Sequence, residues 1–400
     1  MMLEELVGRL SQPADSKVCL LVLDGLGGFD GMGRTSELAA ANTPNLDRLA
    51  GEGCLGLHDP VAPGITPGSG AGHLGLFGYD PLAYEIGRGA LSAAGVGFEL
   101  RPGDVAARVN FCTLAADGTV ADRRAGRLPT ADNERLAGRL QAEVKIPGVE
   151  VFVRTEREHR ALLVFRGEDL APDLGDTDPQ VTGVAPLEPA PRTPKATHTS
   201  EIVSSFLRQA RVILDGEAAN FVLLRGFDTH RAIPQFPERY GVRALAVAAY
   251  PMYVGISRLL GFTTPAAHDS PEAQIATVAT RIGEFDFVFF HFKYPDSAGE
   301  DGDFARKVAA IERMDGLVPE LLATGITNLL VTGDHSTPSQ LAAHSWHPVP
   351  VLLWGGSAPA DGITRFDEAH CRQGSIGRVR AFELMPMLLA SAGRLAKYGA

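Results

Sequence analysis

The sequence is punctuated by short, almost wholly apolar runs that stop abruptly at polar or glycine-rich residues. Val18–Leu23 (VCLLVL) stops at Asp24, and 285–290 (FDFVFF) stops at His291. Two further runs, 328–331 (NLLV) and 349–353 (VPVLL), end at Thr332 and near Gly355. A strand with one wet face alternates apolar and polar residues. A strand without alternation is covered on both faces, as in a parallel sheet between helical layers. Helical patterns at 43–52 and 304–322 lie between the runs, and Thr43 before Pro44 reads as an N-cap with proline at the first helical position. This order predicts an α/β chain with a mostly parallel sheet and helices on both faces.

The middle of the chain reads differently. Val105–Leu114 (VAARVNFCTL) alternates, and 149–165 reads as two strands with the charged stretch 154–160 between them. The segment 172–194 is rich in Pro, Asp and Thr, as in a long connecting loop. Antiparallel character inside an α/β chain predicts an inserted, smaller α+β domain, placed at 85–232. Residues 1–84 and 233–400 then form the core domain.

Composition narrows the partners. The chain has 400 residues, 45% of them hydrophobic, which is enough for a large core. A net charge of −11 argues against nucleic-acid or anionic-membrane binding, since both need clustered positive charge. An anionic small molecule stays open, because arginines and metal ions can reverse the field inside a cleft. Cys19, Cys54, Cys112 and Cys371 lie far apart with no CxxC pair, so reduced cytoplasmic thiols fit better than a disulfide framework or zinc ribbon. Residues 1–17 lack a secretory pattern and no segment reads as a membrane span. A cytoplasmic protein is expected.

Candidates for chemistry gather where apolar strands end, which is where parallel sheets bind ligands. Asp24 follows VCLLVL directly and precedes Gly25; alone, it could equally cap a turn. Ser69 lies in Pro67-Gly68-Ser69-Gly70, where glycines let a tetrahedral group approach the backbone. A serine needs a base or a metal to become a nucleophile. Asp334 and His335 follow the strand NLLV and pair a hard oxygen with an imidazole nitrogen, which suits Mn²⁺ or Zn²⁺ better than Ca²⁺. His344 and His347 offer further imidazoles, and Asp296 and Glu300 follow the strand FDFVFF. Two divalent ions about 3.5–4 Å apart are the usual device for in-line phosphoryl transfer. Arg123, Arg124 and Arg127 crowd one glycine-containing loop, and Arg225 ends another apolar run. Guanidinium groups clamp phosphate or carboxylate oxygens in pairs, although charged loops are often merely solvated.

Taken in order, Leu23-Asp24-Gly25, Thr43-Pro44-Asn45-Leu46-Asp47, Pro67-Gly68-Ser69, Asp296, Gly333-Asp334-His335-Ser336-Thr337-Pro338 and His344 resemble the alkaline phosphatase superfamily. More narrowly, the chain resembles the archaeal-type, 2,3-bisphosphoglycerate-independent phosphoglycerate mutases. That likeness adds Gly75-Leu76-Phe77-Gly78-Tyr79-Asp80-Pro81, the loop from Asp122 to Arg127, Asp176-Thr177-Asp178-Pro179 and His291-Phe292-Lys293. The resemblance implies an alkaline-phosphatase-like core and interconversion of 3-phosphoglycerate and 2-phosphoglycerate without 2,3-bisphosphoglycerate. It implies Ser69 as a nucleophile that forms a transient phosphoserine. Asp24, Asp334 and His335 would complete the metal site of Ser69, and Asp296 and His344 would hold a second metal. Mn²⁺ is the first expectation, with Mg²⁺, Co²⁺ or Zn²⁺ as alternatives. Arg123, Arg124, Arg127 and Arg225 would meet the glycerate carboxylate and phosphate, with His291 and Lys293 also on the substrate. Closure of one domain on the other would keep water from the phosphoserine.

Two departures stand out. Glu300 occupies a position that is usually His in the superfamily, and a carboxylate there would shift the metal preference. Tyr253-Val254-Gly255 stands where a basic residue near the phosphate is expected, so Arg225 or Lys293 would have to supply that charge. His347 competes with His344 as a ligand. His73 either orients the nucleophile loop or packs, while His58, His159, His198, His268 and His370 read as ordinary groups. A phosphomonoesterase or phosphopentomutase on the same core, or a phosphoglycerate-binding pseudoenzyme, stays open as an alternative. Oligomeric state is not legible.

Overall fold

A computed structural model describes residues 3–29, 33–265 and 270–399; His268 lies outside them. The chain forms two compact units, Met1–Glu85 with Ile233–Ala400, and Ile86–Ala232. The strands run in chain order as β1 (Val18–Leu23), β2 (Cys54–Asp59), β3 (Val105–Leu114), β4 (Val120–Asp122), β5 (Val149–Arg157), β6 (Arg160–Gly167), β7 (Phe221–Thr229), β8 (Ala244–Val247), β9 (Phe287–Phe292), β10 (Asn328–Thr332), β11 (Val349–Gly355) and β12 (Gly377–Arg380).

The first unit holds a seven-stranded sheet in the order β12-β2-β11-β10-β1-β9-β8. The four strands β8, β9, β1 and β10 are mutually parallel. All six residues of β1 are fully buried, which requires cover on both faces. On one face, Cys19, Leu21 and Leu23 pack with Leu46 and Leu49 of the helix Pro44–Glu52 and with Ile311, Met314 and Val318 of the helix Phe304–Ala323. Each such buried aliphatic side chain contributes about 1.5–3 kcal/mol. One expectation is corrected here. The run 349–353 enters β11, which is antiparallel to both β10 and β2. Its apolar content fits burial on both faces in either direction, and the helix-free connection 333–348 returns the chain directly beside β10.

The second unit is an antiparallel sheet in which β3 pairs with β4, β6 and β7, and β6 with β5. The helices Thr130–Glu143 and Thr197–Ile213 share its core. The charged stretch 154–160 does not separate two strands. Most of it lies within β5, and the turn is confined to Glu158 and His159. No helix among the described residues is long and apolar enough to cross a membrane.

Candidate active site

Three adjacent parallel strands deliver the polar groups to one place. β1 lies between β9 and β10, so the residues that follow them, Asp24, Lys293 and Asp334, emerge side by side. Gly25 turns the chain with φ +65°, and a Cβ there would fall 2.9 Å from Asp296 Cα. Its N–H donates to Asp334 Oδ1 at 3.2 Å, tying two strand ends together. Asp296 lies in the first turn of the helix Tyr294–Glu300 that follows β9. Ser69 opens the helix Ser69–Leu76. One turn on, a Cβ at Gly72 would stand 2.2 Å from the carbonyl oxygen of Asp334. The missing side chain is what lets Ser69 sit against the Asp334 loop.

Hydrogen bonding decides which way the central imidazole points. The Thr337 hydroxyl donates to Asp296 Oδ1 at 2.8 Å and lies 2.9 Å from His335 Nδ1. Its one proton is used, so it accepts from Nδ1–H, and Nε2 of the neutral ring carries the lone pair. That nitrogen is 3.2 Å from Ser69 Oγ, 3.2 Å from Asp334 Oδ2 and 3.3 Å from Asp24 Oδ1. The Ser69 proton can satisfy the nitrogen but not the two carboxylate oxygens. Neither of these buried oxygens has a full hydrogen-bond partner: His73 Nδ1 stands 3.2 Å from Asp334 Oδ2 but gives its proton to the Ser69 carbonyl at 2.8 Å. Anionic oxygens gathered out of water are costly unless a cation joins them. Two carboxylates, an imidazole nitrogen and a hydroxyl are a donor set for a divalent cation.

A second group adjoins the first. Ligand atoms of Asp296, His335 and His344 lie within 4.8 Å of one another, as do those of Asp24, Asp334 and His335. His344 Nδ1 donates to the Pro67 carbonyl at 3.1 Å. Its Nε2 faces Asp296 Oδ1 at 3.6 Å and Glu300 Oε1 at 3.8 Å. Lys293 Nζ lies between the groups, 3.0 Å from Asp24 Oδ2 and hydrogen-bonded to Asp296 Oδ2. Burial opposes the Lys293 charge, but Asp24, Tyr253 and Asp296 raise its pKa well above the ordinary lysine value. Burial likewise opposes the Asp24 charge, yet Lys293, His291 and His335 hold that carboxyl well below the usual range. Burial lowers the His335 pKa, which favours the neutral ring.

The second unit carries a cavity of about 290 Å³ that faces six guanidinium groups, those of Arg88, Arg108, Arg123, Arg124, Arg160 and Arg225. Asn110, His159 and Gln180 complete its lining. Sheet register builds it: Arg108 on β3 lies opposite Arg225 on β7, and Asn110 lies opposite Arg160 on β6. Like charges directly opposite are destabilising, and carboxylates of the protein relieve part of this: Glu156 lies 3.4 Å from Arg108, and Asp178 and Asp176 lie 3.6 and 3.8 Å from Arg225. Arg123 is held in a two-pronged bond to Asp178 at 2.9 and 2.7 Å. Arg88 is drawn down to about 10 by its partial burial and then by Arg225 and Arg108.

A sequence model of the family 2,3-bisphosphoglycerate-independent phosphoglycerate mutase matches residues 50–220. A probable 2,3-bisphosphoglycerate-independent phosphoglycerate mutase of Thermus thermophilus is 48% identical over 398 residues, covering 98% of both chains. A relative of the same description from Aquifex aeolicus is 44% identical, covering 99% of this chain and all of the other. The chain belongs to the 2,3-bisphosphoglycerate-independent phosphoglycerate mutases. The fold agrees. A cofactor-independent phosphoglycerate mutase structure from Thermoplasma acidophilum aligns with TM-score 0.69 at 32% identity, covering 94% of this chain and 100% of the other. A Pyrococcus horikoshii protein structure aligns with TM-score 0.81 at 28% identity, covering 96% and 100%.

Against this family frame, the expected residues fall into two sets. Asp24, Ser69, Asp334, His335, Asp296, His344 and Lys293 come together in the first unit. Arg123, Arg124 and Arg225 come together in the second. Arg127 is exposed in a turn of φ +57° and does not line the cavity. Glu300 stays outside the tight ligand groups, with its side chain 56% exposed. His347 stacks between Phe29 and Trp346 and joins neither group. His291, expected on the substrate, instead lies enclosed beneath Asp24, with Nε2 3.3 Å from Asp24 Oδ2 and its ring stacked on Tyr253. It belongs to β9, all of whose residues are buried, and that removes it from solvent. Val254 is also buried, so the basic group near Asp24 is Lys293 from the end of β9. Sequence reasoning assigned no role to Thr337 or Tyr253, although both lie in segments it singled out, and it passed over Arg88, Arg108, Arg160 and Asn110. Tyr253 Oη donates to Asp24 Oδ2 and lies 3.3 Å from Lys293 Nζ.

Proposed function

We propose that the chain interconverts 3-phosphoglycerate and 2-phosphoglycerate through a phosphoserine at Ser69. One observation carries this reading: Ser69 Oγ and two unpartnered carboxylate oxygens, of Asp24 and Asp334, crowd one imidazole nitrogen. A nucleophile held among divalent-cation ligands suits phosphoryl transfer. Asp24, Asp334, His335 and Ser69 would hold one divalent ion, and Asp296 and His344 a second, with Mn²⁺ the first candidate. Such ions neutralise charge on the transferring group and lower the pKa of a bound hydroxyl.

The chain's own groups do the rest. Ser69 Oγ gives up its proton and bonds to phosphorus as the P–O3 bond breaks, and the departing O3 of glycerate takes up one proton, so the step is proton-neutral. Thr337 holds the His335 ring with Nε2 towards Ser69. Lys293 offers its ammonium to a phosphoryl oxygen, the charge that Val254 does not supply. Arg123, Arg124 and Arg225 bind the carboxylate and phosphate of the substrate, where paired donors match planar and tetrahedral anions.

A coupled mutase assay on the parent chain and on Ser69→Ala, with intact-mass analysis after brief exposure to 3-phosphoglycerate, tests this. The expected result is turnover and a phosphorylated Ser69 in the parent, and neither in the variant. Turnover by Ser69→Ala refutes the covalent route, and steady release of inorganic phosphate by the parent points to a phosphatase instead.

A further inference from the structure

Six of the nine residues that line the cavity of the second unit are arginines, whose guanidinium groups can only donate hydrogen bonds. Gln180 Oε1 already accepts from Arg225 Nη2 at 3.1 Å. Asn110 is different: it is 8% exposed, and its Oδ1 is buried without a hydrogen-bond partner in the protein. His159 Nδ1 is also buried without a partner, and burial pushes that ring down to about 4; a neutral ring can present a proton or a lone pair there, whereas the Asn110 amide oxygen can only accept. A carboxylate or phosphate that enters the cavity satisfies the guanidinium groups and leaves that oxygen unmet. An occupant that satisfies the whole lining brings anionic oxygens and a hydroxyl together.

We propose that Asn110 is a specificity-determining residue whose amide oxygen accepts the alcohol proton of a hydroxylated organic anion. The cavity then selects hydroxy-acid phosphates over their deoxy counterparts. The inference rests on the mutase reading and deepens it: arginines read charge, and Asn110 reads the hydroxyl. Its place in the sheet supports the assignment. Asn110 and Arg108 are two residues apart on β3 and share a face, and Asn110 lies directly opposite Arg160 on β6. The hydroxyl acceptor is therefore set into the same rigid surface as three of the guanidinium groups, counting Arg225 opposite Arg108.

The test compares two ligands on the full chain. In Ser69→Ala protein with Mn²⁺ present, calorimetry measures the affinity for 3-phosphoglycerate and for 3-phosphooxypropionate, which lacks only the 2-hydroxyl. The parent background is expected to prefer the hydroxylated ligand about tenfold, the worth of one well-made hydrogen bond. Adding Asn110→Leu is expected to abolish the preference while affinity for the deoxy ligand stays within about threefold, which also reports an intact cavity. Asn110→Ser, which keeps a small acceptor, is expected to retain part of the preference. A preference that survives Asn110→Leu overturns the proposal, as does an equal loss for both ligands in both variants. Formation of 2-phosphoglycerate in these samples overturns the covalent mechanism and leaves the Asn110 comparison to its own result. A parent without affinity for either ester overturns both.

Discussion

Replacing Thr337 by valine exchanges one hydroxyl for one methyl at nearly constant volume. Thr337 is fully buried, and its hydroxyl joins His335 Nδ1 at 2.9 Å to Asp296 Oδ1 at 2.8 Å. Without it, the Nδ1 proton of His335 is a buried donor with no partner, which costs about 1–3 kcal/mol. The ring can escape that cost by moving its proton to Nε2, where Asp24 Oδ1 and Asp334 Oδ2 stand at 3.3 and 3.2 Å. That relieves the metal-free protein but takes away the lone pair that a cation needs. The loss therefore falls mainly on metal binding. Removing an outer-shell partner of a ligating histidine typically costs about 10–100-fold in affinity, or about 1.4–2.8 kcal/mol. Calorimetric titration of chelator-treated protein with Mn²⁺, alongside Tm with and without the ion, reads this directly. Thr337→Val is expected to weaken Mn²⁺ binding by that factor and shrink the metal-induced rise in Tm. The metal-free Tm should stay near the parent value, and Thr337→Ser should behave like the parent. Unchanged Mn²⁺ affinity in Thr337→Val, or an equal fall in Tm with and without the ion, would refute the reasoning.

Three further outcomes are expected. Gly72→Ala puts a Cβ 2.2 Å from the Asp334 carbonyl oxygen, so the Ser69 helix must shift; kcat should fall by about 100-fold, and a change under twofold counts against the packing argument. Chelation with EDTA should abolish turnover and lower Tm, with both restored by Mn²⁺, and activity indifferent to EDTA would remove the metal-ion reading. His58 is fully buried, donates from Nε2 to the Gly333 carbonyl at 3.0 Å, and is pushed down to about 4, first by burial. A depressed folded pKa gives stability that is complete above the unfolded value near 6.5 and is lost as pH falls towards 4. The loss amounts to roughly 3 kcal/mol. His58→Gln keeps the donor and should flatten the fall in Tm across that window, and an unchanged pH profile would contradict it.

Much of the core was legible because burial on both faces leaves a mark in the sequence. VCLLVL and the runs 285–290 and 328–331 read as interior strands, and strands form there at Val18–Leu23, Phe287–Phe292 and Asn328–Thr332, the second displaced by two residues so that it takes in His291. What the same mark does not carry is direction. β11 is as apolar as its neighbours, yet it runs against them, because direction is set by the connection 333–348 and not by the strand. The β5–β6 hairpin was misjudged for a related reason. A strand with solvent on one side tolerates charge there, and the register with β6 shifts between Thr155 and Arg157, so Arg154 and Arg157, three residues apart, are both exposed strand residues and not a loop.

The candidate site divides along the same line. Groups adjacent in sequence to a strand end, such as Asp24 and Asp334, stand out because the contrast with the apolar run is local. Thr337 and Tyr253 do not, since each matters only through partners far along the chain, Asp296 for one and Asp24 for the other. The arginine cavity is the sharper case. The loop of Arg123, Arg124 and Arg127 drew notice as a charge cluster, yet Arg127 faces outward. Half of the cavity's guanidinium groups, those of Arg88, Arg108 and Arg160, come from a helix and two strands. A signal for them was present in VAARVNFCTL. In a period-two strand, Arg108 and Asn110 share one face; Arg108 stands opposite Arg225, two positive charges in register, and the neutral Asn110 stands opposite Arg160. Glu156, 3.4 Å from Arg108, and Asp178, 3.6 Å from Arg225, relieve part of that crowding from within the protein, so it is the polar residues that break an apolar strand, and not repulsion alone, that deserved more weight than the exposed cluster beside it.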